Sequence, residues 1–183
     1  MDRILLNDIN QAYRLLEANN KQFPDFIANK KSLSIIHALA EYLPGVLKKL
    51  FSIRGSLKLG REEIEEVVAY AEQNDFLFAK EADAIHAYML LHLFNQPDEA
   101  WDVLMNSELD PKESPLAAFL LGSIGIRSGK NAEVVDLLST RNRSEAYFHF
   151  PYLDFILGKG KLYRLDDQAA GDIKSYILSL IHI

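Results

Sequence analysis

Apolar residues recur along this chain with the period of an α-helix, and this pattern restricts the fold more than any other feature. The segment EEIEEVVAYAEQ carries apolar residues at positions i, i+3, i+4 and i+7, from Ile64 to Ala71. That spacing places them on one face of a helix. No segment between turn residues alternates with the two-residue period of a β-strand. The sequence therefore predicts an all-α protein.

Ten helices are predicted from this periodicity and from the positions of Pro, Gly and Asn. The expected ranges are 4–21, 25–42, 45–52, 58–73, 79–94, 97–106, 115–128, 131–139, 151–164 and 167–177. Four prolines stand at expected helix starts, where the missing N–H costs no hydrogen bond: Pro24, Pro97, Pro115 and Pro151. The connections are short and polar, so consecutive helices are expected to be antiparallel neighbours.

Composition and charge exclude several classes of protein. Of the 183 residues, 49% are hydrophobic and 25% are charged, which is the balance of a folded globular chain. The net charge of −6 argues against nucleic acid as the main partner, because a polyanion attracts a cationic surface. The chain has no cysteine, which excludes disulfides and thiolate metal sites. No membrane span and no signal peptide are visible, and the localisation stays open.

A repeat is visible in the second half of the chain. When Asn95 is aligned with Gly129, Ala100 falls on Val134, which is 34 positions later. This spacing is the length of a tetratricopeptide repeat, a pair of antiparallel helices. The sequence therefore predicts stacked helix pairs in this region.

A third copy of the repeat follows the second. Pro115-Leu116 matches Pro151-Tyr152, and Leu121-Gly122 matches Leu157-Gly158, at an offset of 36 residues. Ala170 then supplies the small residue early in the last helix. The extra two residues are explained by a slightly longer connection between the helix pairs.

These features resemble tetratricopeptide repeats, with Leu-Gly in a first helix, a small residue in the second and a later proline. The segment AYRLLEANNKQFP resembles the second helix of such a repeat, with Ala12 and Leu16 at core positions and Pro24 closing it. The resemblance implies a tetratricopeptide-like α-solenoid of antiparallel helix pairs. We expect one such domain over residues 1–177.

A narrower resemblance rests on three segments: AYRLLEANNKQFPDF, LPGVLKKLFSIRGSLKLGREEI and FPYLDFILGKGKLYRLD. They are similar to a group of bacterial tetratricopeptide proteins of unassigned activity, themselves distantly similar to the tetratricopeptide-repeat-39 group. Members are usually longer at both ends and are often exported, which implies that this chain is a fragment. The resemblance supplies no catalytic residue and implies no cofactor.

Residues 43–60 interrupt the repeat period. The structural interpretation is an elbow that joins two stacks within the one domain. A phosphate-binding loop is the alternative, because Gly55 and Gly60 have the outer glycine spacing of that motif. Arg61-Glu62 replaces the required Lys-Ser/Thr, and no strand precedes the segment, so the elbow is favoured.

The histidines do not form a metal-binding pattern. His86 and His92 are six residues apart, so their rings face different directions on a helix. His37 is followed one turn later by Glu41, which is either a ligand pair or a helix-surface contact. We predict no metal site.

Four glutamates open one helix opposite its apolar face: Glu62, Glu63, Glu65 and Glu66. Carboxylates near a helix N-terminus complement its dipole, so a solvated face is expected rather than an acid–base pair.

Gly122, by contrast, stands where paired helices approach each other. We therefore expect Gly122→Leu to be far more damaging than a change at Glu63. No set of nucleophile, base and orienting residue can be assembled, and we predict that the protein is not an enzyme.

A basic segment beside aromatic residues allows two interpretations. It contains Arg127, Lys130, Arg141, Arg143, Tyr147, Phe148 and Phe150. Cations and aromatic rings together can stack single-stranded nucleic acid. The other interpretation is a basic loop whose aromatic residues pack the next helix into the stack, and the acidic net charge favours it.

In tetratricopeptide arrays the first helix of each pair lines the concave groove. Transfer of those positions gives Ile85, Met89, His92, Phe119, Ser123, Arg127, Tyr152, Phe155, Lys159 and Tyr163. This predicts an apolar and aromatic groove that binds an amphipathic helix or an extended apolar peptide of a partner protein. The alternative is a structural or oligomerisation element whose groove is filled by its own helices. The sequence does not decide the oligomeric state.

Residues 178–183 are expected to be a non-native tail. Their sequence LSLIHI can be encoded by CTG-TCT-CTT-ATA-CAC-ATC, the mosaic end of a transposase adapter used in sequencing libraries. The last predicted helix also lacks the polar capping helix that repeat arrays need for solubility. Leu178, Leu180 and Ile181 have helical spacing, so the tail is nevertheless able to extend that helix.

Overall fold

A computed structural model describes residues 3–144 and 150–181 of the chain, and within them the regular structure is entirely α-helical. The ten helices are α1 (Arg3–Gln22), α2 (Ala28–Ala40), α3 (Gly45–Phe51), α4 (Leu57–Gln73), α5 (Ala79–His92), α6 (Pro97–Asn106), α7 (Pro115–Arg127), α8 (Asn131–Ser139), α9 (Tyr152–Tyr163) and α10 (Ala169–Ile181). The predicted all-α class is confirmed. None of the helices in the described part of the chain is long and apolar enough to span a bilayer.

Local turn chemistry explains why the predicted helix ends lie close to the observed ones. Pro97 and Pro115 occupy the first turns of α6 and α7. Asn95 and Gly129, expected as C-terminal caps, have φ angles of 55° and 73°, in the left-handed region that such caps adopt. The largest difference at a helix start is in α2, because the main chain first makes a turn in which the N–H of Phe26 bonds to the carbonyl of Phe23.

The described chain divides into two compact units, Met1–Phe94 and Asn95–Ile183. In the first unit α2 lies centrally and packs against α1, α4 and α5, and α4 also packs against α5. One buried apolar cluster consists of Ala38, Ile64, Val67, Ala82 and Met89. A second consists of Tyr13, Leu33, Ala40 and Ile53. The elbow predicted at 43–60 falls within this unit, and the single domain predicted over 1–177 stays a prediction.

Glycine allows α2 and α4 to approach closely. A Cβ atom added at Gly60 would lie 2.8 Å from the backbone nitrogen of Ala38 and closer still to the carbonyl oxygen of Ser34. One added at Gly55 would lie 2.5 Å from the Cα atom of His37. Gly55 and Gly60, which were expected to flank a helix start in the elbow, therefore permit the close packing of this part of the chain against α2.

In the second unit consecutive helices pack against one another, and α7 also packs against α9. α7 packs against α6 and α8, and α9 packs against α7, α8 and α10. Gly122 of α7 lies at one of these contacts, where an added Cβ would be 3.0 Å from Cγ2 of Ile156 and 3.4 Å from Cδ1 of Leu138. The close approach that the repeat pattern predicts at Gly122 is therefore present.

Gly122→Leu is expected to lower the free energy of unfolding of the second unit by about 2 kcal/mol, because the added side chain overpacks this contact. Urea denaturation followed by far-ultraviolet circular dichroism measures the change. Gly171→Leu on α10 is the matched control, since nothing lies within 4 Å of a Cβ added there. Equal losses in the two variants would show that the contact at Gly122 is not tight.

Candidate functional site: an aromatic surface and a buried ionic cluster

Five aromatic side chains pack together in the second unit, and we call them the aromatic surface: Phe119, Phe150, Tyr152, Phe155 and Tyr176. Tyr152 is the central ring. Its centroid lies 5.2 Å from that of Phe155 and 5.7 Å from those of Phe119 and Tyr176. The ring of Phe150 is 6.4 Å away. These spacings are those of favourable aromatic pairs.

The aromatic surface is continuous and open to solvent in part. Phe119 also contacts Phe150 at 5.4 Å, and Phe155 contacts Tyr176 at 5.3 Å. Tyr152 is 37% exposed, and the other four side chains are half-buried. α7, α9 and α10 each contribute to it, so its shape depends on the packing of three helices.

The structure brings together part of the predicted groove. Phe119, Tyr152 and Phe155 join the aromatic surface. Lys159, one turn further along α9, has its ammonium group 5.6 Å from the ring centroid of Tyr163, within the range of a cation–π contact. Arg127 is exposed at the end of α7 and Ser123 is half-buried.

The three groove residues predicted on α5 belong to the first unit and have different environments. Met89 is 1% exposed and lies in the core with Ile64 and Val67, so its side chain does not face solvent. Ile85 is half-buried and packs against the same cluster. His92 is exposed, and its ring centroid lies 4.3 Å from that of Tyr88.

Three cations of the basic segment have acidic partners. The side chain of Arg141 is 7% exposed, forms an ion pair with Asp154 and donates a hydrogen bond to the carbonyl of Leu138 at 2.7 Å. Arg143 also lies near Asp154, at 3.9 Å, and Lys130 lies 3.6 Å from a carboxylate oxygen of Asp98. Phe150 packs in the aromatic surface, while Tyr147 and Phe148 lie outside the described residues. These contacts favour the structural interpretation of the segment.

A buried ionic cluster in the first unit joins three helices through His37. Its Nδ1 atom is 2.6 Å from Oε2 of Glu63 on α4, and its Nε2 atom is 3.4 Å from Oε1 of Glu17 on α1. His37 is 4% exposed and Glu63 is 8% exposed. Both ring nitrogens face carboxylates, so neither is open to a substrate or a metal ion.

The charges around His37 decide its protonation. Burial lowers the pKa of His37, but the hydrogen bond to Glu63 and the charges of Glu63 and Glu17 outweigh burial and raise the pKa above its usual value of 6.5. The ring is therefore a better base in the folded protein than in the unfolded chain.

Tyr13 borders the ionic cluster and connects it to the segment before α4. Its ring lies edge-on to His37 with the centroids 5.9 Å apart. Its hydroxyl accepts a hydrogen bond from the backbone N–H of Arg54 at 3.2 Å and donates one to the carbonyl of Arg54 at 3.4 Å. Burial raises the pKa of Tyr13. Beside it is a cleft of about 400 Å³ lined by Tyr13, Arg14, Glu17, Ala18, Lys21, Ser52 and Arg54.

The expectation that Glu63 is solvated is wrong. Glu63 precedes Ile64 and lies one turn before Val67 on the face of α4 that packs against α2, whereas Glu62, Glu65 and Glu66 are exposed. The available signal was helical register, since Gly60, Glu63 and Val67 follow i, i+3 and i+7 spacing.

His37 does not pair with Glu41 in the structure. The carboxylates that face its ring come from other helices, and Glu41 is exposed. No group of three or more metal-ligating side chains is found among the described residues. The contact was not visible in the sequence, because Glu63 follows His37 by 26 positions.

No protein-family model matches the chain, and no curated protein or solved structure shows significant similarity to it. The tetratricopeptide resemblance therefore stays a prediction that rests on the repeat spacing and the Leu-Gly pattern.

Proposed function

We propose that this chain is a non-catalytic scaffold that binds a segment of a partner protein against the aromatic surface. The observation that carries the proposal is the placement of Tyr152, which is partly exposed and contacts four other aromatic rings. Rigid aromatic side chains supply large contact areas at low entropic cost and dominate binding energy at protein interfaces.

The proposal includes a tetratricopeptide-like arrangement of the second unit. Two observations support it. α7 and α9, the first helices of two predicted pairs, pack against each other, and α8 packs against both. Phe119, Tyr152 and Phe155, selected by repeat alignment alone, lie side by side. Neighbouring first helices that present adjacent side chains are what a groove of this kind requires.

The partner segment that best fits the aromatic surface is an amphipathic helix or an extended peptide with apolar anchors. Half-buried rings accept aliphatic and aromatic side chains, because both sides lose apolar surface to water. Lys159 lies one turn from Phe155 on the same helix, so an acidic residue beside the apolar anchors would be favoured. Nucleic acid and cofactors have no part in this proposal.

One observation favours a second candidate function, a structural element whose own helices cover the groove. Tyr176 belongs to α10 and packs against Tyr152 and Phe155. The last helix therefore already covers part of the aromatic surface. In this case Tyr152 would contribute to stability rather than to binding.

Tyr152→Ala is expected to weaken partner binding about 30-fold, the effect of removing a residue worth about 2 kcal/mol at the centre of an interface. Peptides are first selected from a random display library on the purified chain, and their affinity is then measured for the wild type and the variant by fluorescence anisotropy. We expect the selected peptides to share apolar anchors next to an acidic residue.

Leu162→Ala is the matched control, because Leu162 lies on the same helix, is 52% exposed and is outside the aromatic surface. It should change affinity by less than about threefold, since most interface-remote substitutions are energetically small. Selected peptides that bind Tyr152→Ala as tightly as wild type would contradict the scaffold proposal. A loss of stability without a loss of affinity would support the structural element.

A further inference from the structure

Few of the described side chains of α1 are buried against the rest of the first unit. Tyr13 is its one described apolar side chain that is fully buried, at 5% exposure. The side-chain amide of Asn19 donates to that of Asn29 on α2 at 2.8 Å. Glu17 lies one turn after Tyr13 on α1, and its carboxylate reaches His37. The described part of α1 is therefore attached through few buried side chains, and the contact between Glu17 and His37 is one of its polar links.

The geometry of the ionic cluster requires a protonated imidazole. A neutral histidine ring has one N–H donor and one acceptor nitrogen. His37 faces a carboxylate oxygen on each side, at 2.6 Å from Glu63 and 3.4 Å from Glu17. Only the imidazolium donates to both carboxylates. When the ring is neutral, one nitrogen lone pair faces a carboxylate lone pair, and the three groups carry one more unit of negative charge.

We propose that Glu17, His37 and Glu63 form a proton-dependent clasp that holds α1 against α2 and α4 and that loosens when His37 loses its proton. Glu63 is the inner partner, because it is buried and closer to the ring. Glu17 is the outer partner, since its side chain is 30% exposed and its contact is longer. Deprotonation therefore acts first on the link to α1.

The groups that face the ring of His37 come from α1 and α4. α1 contributes Glu17 and Tyr13, and α4 contributes Glu63. The segment between α3 and α4 reaches the cluster through Tyr13, because the main chain of Arg54 bonds to the Tyr13 hydroxyl.

α5 also packs against α2, and its Glu81 faces a different residue of α2. Glu81 of α5 forms an ion pair with Lys31 at 2.6 Å. Lys31 lies six residues before His37 on α2. The carboxylate of Glu81 is therefore paired with a cation other than His37. His37 is therefore the group of the cluster whose charge changes near neutral pH.

The pKa of His37 is higher in the folded protein than in the unfolded chain. Protonation of the ring therefore stabilises the folded state. This stabilisation is fully present when the pH is below the pKa of His37 in the unfolded chain, about 6.5. It is lost as the pH rises through the higher pKa of the folded state. The clasp is therefore closed in mildly acidic solution and loosens in mildly alkaline solution.

Loosening of the clasp would also change the cleft beside Tyr13. α1 supplies one wall of this cleft, with Arg14, Glu17 and Lys21, and Ser52 and Arg54 supply the other. A shift of α1 would move these three side chains relative to Ser52 and Arg54. The shape of the cleft would then depend on the protonation state of His37.

Hydrogen exchange of the intact chain, followed by mass spectrometry, tests the clasp. After correction for the intrinsic exchange rate, protection of residues 10–22 should fall about tenfold between about pH 6 and about pH 8.5. Tenfold corresponds to about 1.4 kcal/mol, the size of one hydrogen bond to a charged group. Protection of α7 and α9 should change by less than about threefold, because they belong to the other compact unit.

His37→Gln should reduce protection of α1 at the lower pH and abolish its pH dependence. His92→Gln is the matched control, an exposed histidine of the same unit, and should keep the wild-type dependence. Glu17→Gln provides a second test if His37→Gln does not fold, because it removes only the outer partner and should also flatten the dependence. A wild-type protein without pH-dependent protection of α1, or a clasp variant that keeps the wild-type dependence, would overturn the proposal. So would equal loosening of α1 and of α7 and α9.

Discussion

Gly60→Ala is expected to lower the free energy of unfolding of the first unit by at least about 3 kcal/mol, the upper end of the range for overpacked contacts. The new Cβ would lie 2.8 Å from the backbone nitrogen of Ala38 and even closer to the carbonyl oxygen of Ser34. Backbone atoms cannot rotate away as the end of a side chain does, so α2 and α4 would have to separate. Urea denaturation followed by circular dichroism measures the loss.

Helix propensity predicts the opposite sign for this substitution. Replacing Gly by Ala inside a helix stabilises it by about 1 kcal/mol when the site is open. Gly45→Ala is the control in the same unit, because nothing lies within 4 Å of a Cβ added there and the residue begins α3. It should leave stability unchanged or raise it. A stabilising Gly60→Ala would show that α2 and α4 do not approach as closely as described.

Glu63→Ala is expected to cost about 3 kcal/mol, the lower end of the range for breaking a buried ion pair. The substitution removes the closer of the two carboxylates around His37, a residue that is 4% exposed. Glu17 is then the remaining carboxylate that faces the ring. The loss should be largest in mildly acidic solution, where His37 is protonated and most needs its partner. Denaturation at about pH 6 and about pH 8.5 measures both the size and the trend.

Glu62→Ala is the matched control for this prediction. Glu62 is the preceding residue and pairs with exposed Lys58, at 3.7 Å on the surface of α4. Such pairs contribute little, so the change should stay within about 0.5 kcal/mol. Similar small losses for Glu62→Ala and Glu63→Ala would restore the original expectation that both glutamates are solvated.

The ten helices could be predicted because their signals are local. Apolar spacing marks the face that is buried, and prolines such as Pro97 and Pro115 mark starts. Asn95 and Gly129 mark ends because their left-handed backbone satisfies the last carbonyl groups. Each of these signals acts within a few residues, so no knowledge of the tertiary arrangement is needed to interpret it.

The aromatic surface was partly predictable for a different reason. Repeat alignment selects residues at corresponding positions of the predicted first helices, and three of them, Phe119, Tyr152 and Phe155, lie side by side in the structure. It could not include Tyr176, because the alignment selected residues of α5, α7 and α9, and Tyr176 lies on α10. Nor could it show that Met89 points into the core of its unit.

The ionic cluster could not be obtained from the sequence. Periodicity identifies a buried face by its apolar members, so a glutamate at the edge of that face, such as Glu63, is indistinguishable from its solvated neighbours. Burial of its carboxylate is tolerable because α2 supplies His37 as its cationic partner, and Glu17 of α1 faces the other nitrogen of the same ring. The helices of this protein follow from interactions between near neighbours in the chain. Its charged interior follows from partners that only the packing of three helices brings together, because a charge is stable out of water only beside its counter-charge.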